Sequence, residues 1–320
     1  MKTALLLVSL LAALLPAPAG AAGKDGAFKK FTLKSGGYDR VYRLYVPAGL
    51  DAAKKHPLFM ILHGGGGTGK GMRRLTGYCF EKSAAAAGGL VVYPDGLEKN
   101  WNDHRGDPSR RAQRENIDDV AFLKAVVAEI SARYPVDPAR VYAGGMSNGA
   151  MMSYTLACRA ADTFAAIAAV AGSMPENLAA GCSPSRPVPV MIINGTKDTL
   201  VHWEGGDVTG PLGRKKLGRV LPVEGSRDFW LKNNACRAEK AVLSRKDENP
   251  DDGTSISREV YASCAGGAAV DFVKVAGGGH TWPGGLQYLP QFIIGKTSDE
   301  LAASDEILDF FLRYSMPAKK

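Results

Sequence analysis

Apolar positions along this chain fall into two recurring patterns. Residues 28–33 and 40–46 alternate polar and apolar around Ser35-Gly36-Gly37, the signature of an antiparallel hairpin. From residue 57 the apolar runs become continuous, and 57–63, 89–93 and 187–194 each read as a strand buried on both faces. Between them 72–87 looks helical. Asn116 is expected to cap a helix whose apolar residues Ile117, Val120, Leu123, Val127 and Ile130 recur every three to four positions, with Asp118 and Asp119 in its first turn. A short β-prone segment, 140–143, leads into an Ala/Met helix from Asn148, and an alanine-rich stretch follows at 164–171. Residues 227–234 read as helix, 257–261 and 269–275 as paired late strands, and 301–314 as an amphipathic helix. The glycine-rich stretch 205–225 has no period and reads as a surface loop or a partial lid over a site. Strand and helix alternate from residue 57 onward. The expected class is therefore α/β, with a mainly parallel central sheet and helices on both faces.

The first residues change the setting. Lys2 precedes an apolar run from Ala4 to Leu15, then Pro16 and small residues ending Ala19-Gly20-Ala21. That is a positive n-region, an h-region too short to span a bilayer, and an A-x-A cleavage site. The reading is a signal peptide over 1–21, export without a membrane anchor, and one catalytic domain over 22–320. In an oxidising compartment the five cysteines can pair, with one left over. Chain neighbourhood suggests Cys158–Cys182 and Cys236–Cys264, with Cys79 free. None has C-x-x-C spacing, which disfavours a zinc or thioredoxin-like site. The net charge of +8 is spread along the chain. Its densest cluster, 105–114, reads as solvated loop charge, and aromatics are not interleaved with it, so nucleic-acid binding is not supported.

The chemistry-bearing residues stand at strand ends, where ligands sit in such a sheet. Gly145-Met146-Ser147-Asn148-Gly149 follows a β-prone segment and opens a helix, the context of a nucleophile elbow. Ser147, Asp198 and His280 come in the order nucleophile, acid, base. A serine hydroxyl is a poor nucleophile until a base takes its proton. His280 would be that base, with Asp198 holding its tautomer. Asp95 is the runner-up acid but precedes the serine. His202 lies on the loop of the acid itself, and His56 and His104 read as surface residues. Gly64 to Lys70 begins like a P-loop, yet residue 71 is Gly where that motif needs Ser or Thr. His63 and the glycines after it read better as an oxyanion loop, with the N–H groups of Asn148 and Gly65 as donors and Gly66 as the alternative.

These motifs carry a resemblance. His63-Gly-Gly-Gly-Gly, Tyr93-Pro-Asp-Gly with Trp101-Asn-Asp, the stretch from Gly145 to Met152, Asn194-Gly-Thr-Lys-Asp198 and Gly279-His-Thr-Trp-Pro-Gly-Gly285 resemble the secreted polyhydroxybutyrate depolymerase and feruloyl esterase family of α/β-hydrolases. The likeness covers about residues 27–315. It implies a serine esterase, without metal or cofactor, acting on feruloyl-type or short 3-hydroxyalkanoate esters. It also supports the Cys236–Cys264 pair, and Trp101 and Trp282 would then offer flat faces to the acyl group. Asn148 after the nucleophile is closer to the feruloyl-esterase-type members, and no polymer-binding module follows the catalytic region. A serine peptidase of the same fold and an exported binding protein without turnover remain the competing readings.

Overall fold

The computed structural model describes residues 26–213, 215–237 and 241–317. The proposed leader lies outside them. Twelve strands and nine helices are found in the described residues. The first hairpin pairs β1 (Ala27–Ser35) with β2 (Tyr38–Val46). Four further strands are fully buried, β3 (His56–Leu62), β4 (Leu90–Pro94), β6 (Ala166–Val170) and β7 (Val190–Gly195), and β5 (Val136–Met146) is buried from Val141 onward. Late in the chain come β10 (Val242–Lys246), β11 (Ser255–Tyr261) and β12 (Val270–Ala276). These ten form one sheet in the order β1-β2-β4-β3-β5-β6-β7-β12-β11-β10. The pairings from β4 through to β12 are parallel, and the two at each edge are antiparallel.

Because side chains alternate across a strand, β3 feeds two cores. Leu58, Met60 and Leu62 join one with Phe122 and Leu123 of α4 (Asp119–Ser131), Met152 and Leu156 of α5 (Asn148–Arg159) and Trp230 of α7 (Val223–Asn233). Phe59 and Ile61 join the other, with Met72 of α1 (Gly69–Leu75), Phe80 of α2 (Cys79–Ala86) and Phe310 and Phe311 of α9 (Ala303–Leu312). Helices thus cover both faces, as the alternation of runs predicts. Each fully buried aliphatic or aromatic side chain here contributes about 1.5–3 kcal/mol.

Several local readings are corrected. The segment 72–87 is two helices, because Gly77 and Tyr78 both take left-handed backbone (φ 63° and 61°) and break the ladder. The cap of α4 is Asp118, whose carboxylate accepts from the Ala121 N–H, and not Asn116, which sits at φ 46°. A short helix, α3 (Arg111–Arg114), was not anticipated, nor were α6 (Glu176–Ala179), α8 (Gln291–Ile294) and β10. The stretch 205–225 carries a hairpin, β8 (Gly206–Thr209) with β9 (Lys216–Val220), which roofs a cavity. His56 is buried, with its ring nitrogens against the carbonyls of Asp51 and Gly88, rather than on the surface. Cys158–Cys182 and Cys236–Cys264 are disulfides, and Cys79 is free. Among the described residues no helix is long and apolar enough to cross a membrane.

Candidate active site

Strand order decides which loops meet. Sequence places Ser147 after β5, Asp198 after β7 and His280 after β12, and the sheet puts β7 beside β12 with β5 two strands from β7. All three run parallel, so their following loops open on one edge. Gly195 shows how closely they pack: a Cβ there would come within 2.3 Å of the Gly278 carbonyl oxygen. The acid and histidine loops therefore touch backbone to backbone.

The histidine and acid are joined. His280 Nδ1 lies 2.8 Å from Asp198 Oδ2, and both residues are almost fully buried. Asp198 Oδ1 accepts from the N–H groups of Leu200 and Val201, each at 2.8 Å, which fixes the carboxylate. The Tyr288 hydroxyl donates to the His280 carbonyl. A carboxylate on Nδ1 holds the proton there and leaves Nε2 as the free base.

Ser147 sits at φ 56°, ψ −118°, a strained conformation for a residue with a side chain. Glycines make the turn possible. A Cβ at Gly149 would stand 2.4 Å from the Leu62 carbonyl oxygen, and one at Gly145 would stand 2.7 Å from the same atom. The elbow is thereby pressed against β3. Ser147 is half-buried and lines, with His280, a cavity of about 360 Å³. No hydrogen bond joins its hydroxyl to His280 among the described residues; the two groups share the cavity, and a catalytic contact of this kind commonly tightens only with substrate bound.

Gly65 and Asn148 line the same cavity. The Asn148 N–H belongs to the first turn of α5, which has no helical acceptor. Among the described residues the Gly65 N–H makes no backbone hydrogen bond, whereas that of Gly66 is spent on the Lys99 carbonyl at 2.8 Å. The geometry thus favours Gly65 over Gly66 as a donor. His63 secures this loop: its Nε2 accepts from the Gly96 N–H at 2.9 Å, which leaves the ring proton on Nδ1, 2.8 Å from the Gly64 carbonyl. Burial pushes its pKa down to about 4, so it is neutral at pH 7.

Asn148 does more than donate from its backbone. Its buried side chain accepts from the Trp101 N–H (2.8 Å) and donates to the Trp101 carbonyl (3.1 Å) and to Asp103 (2.6 Å). Asp103 is held in turn by Arg105, whose Nε donates to the Leu217 carbonyl in the roof hairpin. Burial raises the Asp103 carboxyl above its ordinary value, against the pull of that arginine. Arg105 is 5% exposed, so the reading of this cluster as solvated charge fails for it. No periodicity could have signalled Arg105 or the roof residues Val208 and Leu217.

The reading of the two tryptophans is corrected. Neither lines the cavity. Trp101 is fully buried, packs tilted against His63 and donates from Nε1 to the His63 carbonyl. Trp282 is buried against Phe80 and donates to the Ser304 hydroxyl. Asp95, the alternative acid, is bound to Arg43 and to the Gly69 N–H.

Comparison with known proteins agrees in fold and chemistry. The esterase PHB depolymerase family model matches residues 40–199. NocK of Nocardia uniformis subsp. tsuyamanensis, a proposed esterase, is 36% identical over 287 residues, covering 86% of this chain and 80% of its own. Feruloyl esterase B of Piromyces equi is 30% identical over 243 residues, or 73% of this chain, but this chain spans only 41% of that protein. A thermostable esterase of known structure matches with a TM-score of 0.54 at 16% identity, over 90% of this chain and 63% of the other. Acetyl xylan esterase from Aspergillus awamori matches at 0.52 and 16% identity, over 80% and 94%. These two likenesses bear on the fold, which is that of the α/β-hydrolases. The family model over half the chain, and a relative more than a third identical along most of it, establish that this protein belongs to the esterase PHB depolymerase family and is a carboxylic ester hydrolase.

Proposed function

We propose that the protein is a secreted serine esterase in which Ser147, His280 and Asp198 form the catalytic triad. The observation that carries this reading is the Asp198–His280 hydrogen bond at the edge of the cavity that Ser147 lines. In the first step Ser147 Oγ bonds to the ester carbonyl carbon while its proton passes to His280 Nε2. Asp198 stabilises the imidazolium, and the carbonyl oxygen becomes an oxyanion facing the N–H groups of Gly65 and Asn148. Collapse breaks the ester C–O bond, and the imidazolium gives its proton to the leaving alcohol. Water repeats the sequence on the acyl-enzyme, releasing the acid and restoring Ser147.

Feruloyl-type or short 3-hydroxyalkanoate esters fit a cavity whose apolar side is built by Met72, Leu75, Met146, Leu200, Val208 and Leu217. Ser147→Ala is expected to abolish hydrolysis of p-nitrophenyl butyrate and labelling by a fluorophosphonate, with the circular dichroism spectrum unchanged. Near-full activity in that variant would end the proposal. The two disulfides support passage through an oxidising compartment. The intact mass of the mature protein should begin after Ala21, and an uncleaved N-terminus in the exported protein would count against the leader.

A further inference from the structure

Among the described residues, those lining the cavity include two arginines and neither aspartate nor glutamate. The two arginines are unlike each other. Arg105 is buried and committed, to Asp103 through Nη1 and to the Leu217 carbonyl through Nε. Arg110 is half-buried, and among the described residues its guanidinium makes no hydrogen bond. Its Nε lies 3.4 Å from Asp107 Oδ2, an ion pair that lacks hydrogen-bond geometry.

Asp107 itself is fixed. It is fully buried, and its Oδ1 accepts from both the N–H and the hydroxyl of Ser109. This carboxylate, whose Oδ2 also lies 3.6 Å from Arg105 Nη2, thus stands against the Nε side of the Arg110 guanidinium, and the planar Nη pair has no acceptor among the described residues. A planar cation with two parallel donors, at the border of a cavity with an apolar side and with Ser147 and His280 in its lining, matches the two oxygens of a carboxylate. A neutral apolar acyl group would leave those donors unused.

We propose that Arg110 is a specificity residue that binds a carboxylate carried by the substrate, so that the preferred esters are anionic ones. Their charge lies beyond an apolar spacer from the scissile carbonyl. This rests on the reading of Ser147 as the nucleophile in the same cavity. A short hydroxyalkanoate oligomer carries such a carboxylate on its alcohol side, and a dicarboxylic half-ester carries it on the acyl side. Neutral feruloyl esters have none.

Two matched pairs test it. The acyl-side pair is p-nitrophenyl hydrogen adipate and p-nitrophenyl adipamate; the alcohol-side pair is 3-butyryloxybutanoate and its primary amide. In each pair the amide keeps the shape and removes the charge. The wild-type enzyme is expected to favour the acid over the amide by about tenfold in kcat/KM in at least one pair, mostly through KM, and less so as salt is raised. Arg110→Gln should bring that ratio to near one, while Arg110→Lys, which keeps the charge, should hold part of it. A wild-type ratio near one in both pairs overturns the proposal, as does a ratio that Arg110→Gln leaves unchanged. If the wild-type enzyme hydrolyses none of the four esters and takes no fluorophosphonate, the nucleophile assignment fails instead.

Discussion

Replacing Asn148 by Ala separates two functions of one residue, because the backbone N–H stays while the side chain goes. Three hydrogen bonds are lost, two to the Trp101 backbone and one, at 2.6 Å, to the Asp103 carboxylate. Trp101 is fully buried, so its N–H and carbonyl gain no solvent in exchange. Neutral bonds of this kind contribute about 1 kcal/mol each and a charge-assisted one about 2 kcal/mol, so the expected loss of stability is roughly 2–4 kcal/mol. For a domain of this size that lowers Tm on the order of 3–6 °C. The kinetic effect is separate. Full loss of one oxyanion donor costs about 2.7–4 kcal/mol of barrier, and a donor left in place but loosened costs a part of that. The expectation is a kcat about tenfold lower on p-nitrophenyl butyrate with KM within about twofold. Thermal melts and steady-state kinetics on the same preparation measure both. A variant that melts within 2 °C of wild type, as an approximate threshold, and keeps its kcat would refute the idea that this side chain holds the elbow to the Trp101 loop.

Gly149→Ala should be more damaging still, since the new Cβ would meet the Leu62 and His63 carbonyl oxygens, at the end of β3 and just beyond it, at 2.4 and 2.7 Å and push α5 off the sheet; a loss of about 3 kcal/mol is expected, and a wild-type urea midpoint would exclude the clash. His63 gives a pH-dependent prediction. Its folded pKa of about 4 lies below the ordinary value of 6.5, so the unfolded chain takes up a proton that the folded protein refuses. The stability it supports is complete above about pH 6.5 and is lost as pH falls towards 4, by about 2–3 kcal/mol between pH 7 and 4.5. In His63→Gln the urea midpoints at these two pH values should move closer together, and an unchanged gap between them would contradict the assignment.

The parallel core was legible because runs such as Leu58 to Leu62 are apolar at every position, which only a strand covered on both faces requires. The proposed triad positions were legible because they follow strands: Ser147 comes directly after β5, Asp198 shortly after β7 and His280 shortly after β12. β10 carried no signal, since its residues Val242 to Lys246 are all exposed and its strand exists by pairing with β11. The roof hairpin was hidden by glycines: Gly206 and Gly218 both take positive φ, and a Cβ at Gly218 would meet the Arg105 carbonyl at 2.3 Å. That contact joins residues more than a hundred positions apart, and no local pattern encodes it. The Asn116 cap failed for a different reason. Asn116 and Asp118 are both good capping residues, and the choice between them was made by backbone geometry.

Trp101 shows why residue type alone misassigns a site. An aromatic ring beside a nucleophile suggests a surface for substrate, yet this indole is used from all sides by the protein. Its ring packs tilted against His63, its Nε1–H caps the His63 carbonyl, and its own N–H and carbonyl are taken by Asn148. His63 begins the loop that carries Gly65, and Asn148 carries the other candidate donor. Trp101, through its ring on one side and its backbone on the other, therefore sets the spacing between the two N–H groups that would receive the oxyanion. A donor moved by a few tenths of an ångström forfeits much of its effect, so a rigid, dry spacer between them is what preorganisation demands. On the proposed reading the substrate is left to aliphatic walls, with Arg110 for a carboxylate, and specificity becomes a question of the roof hairpin and the loop facing it, not of the tryptophans.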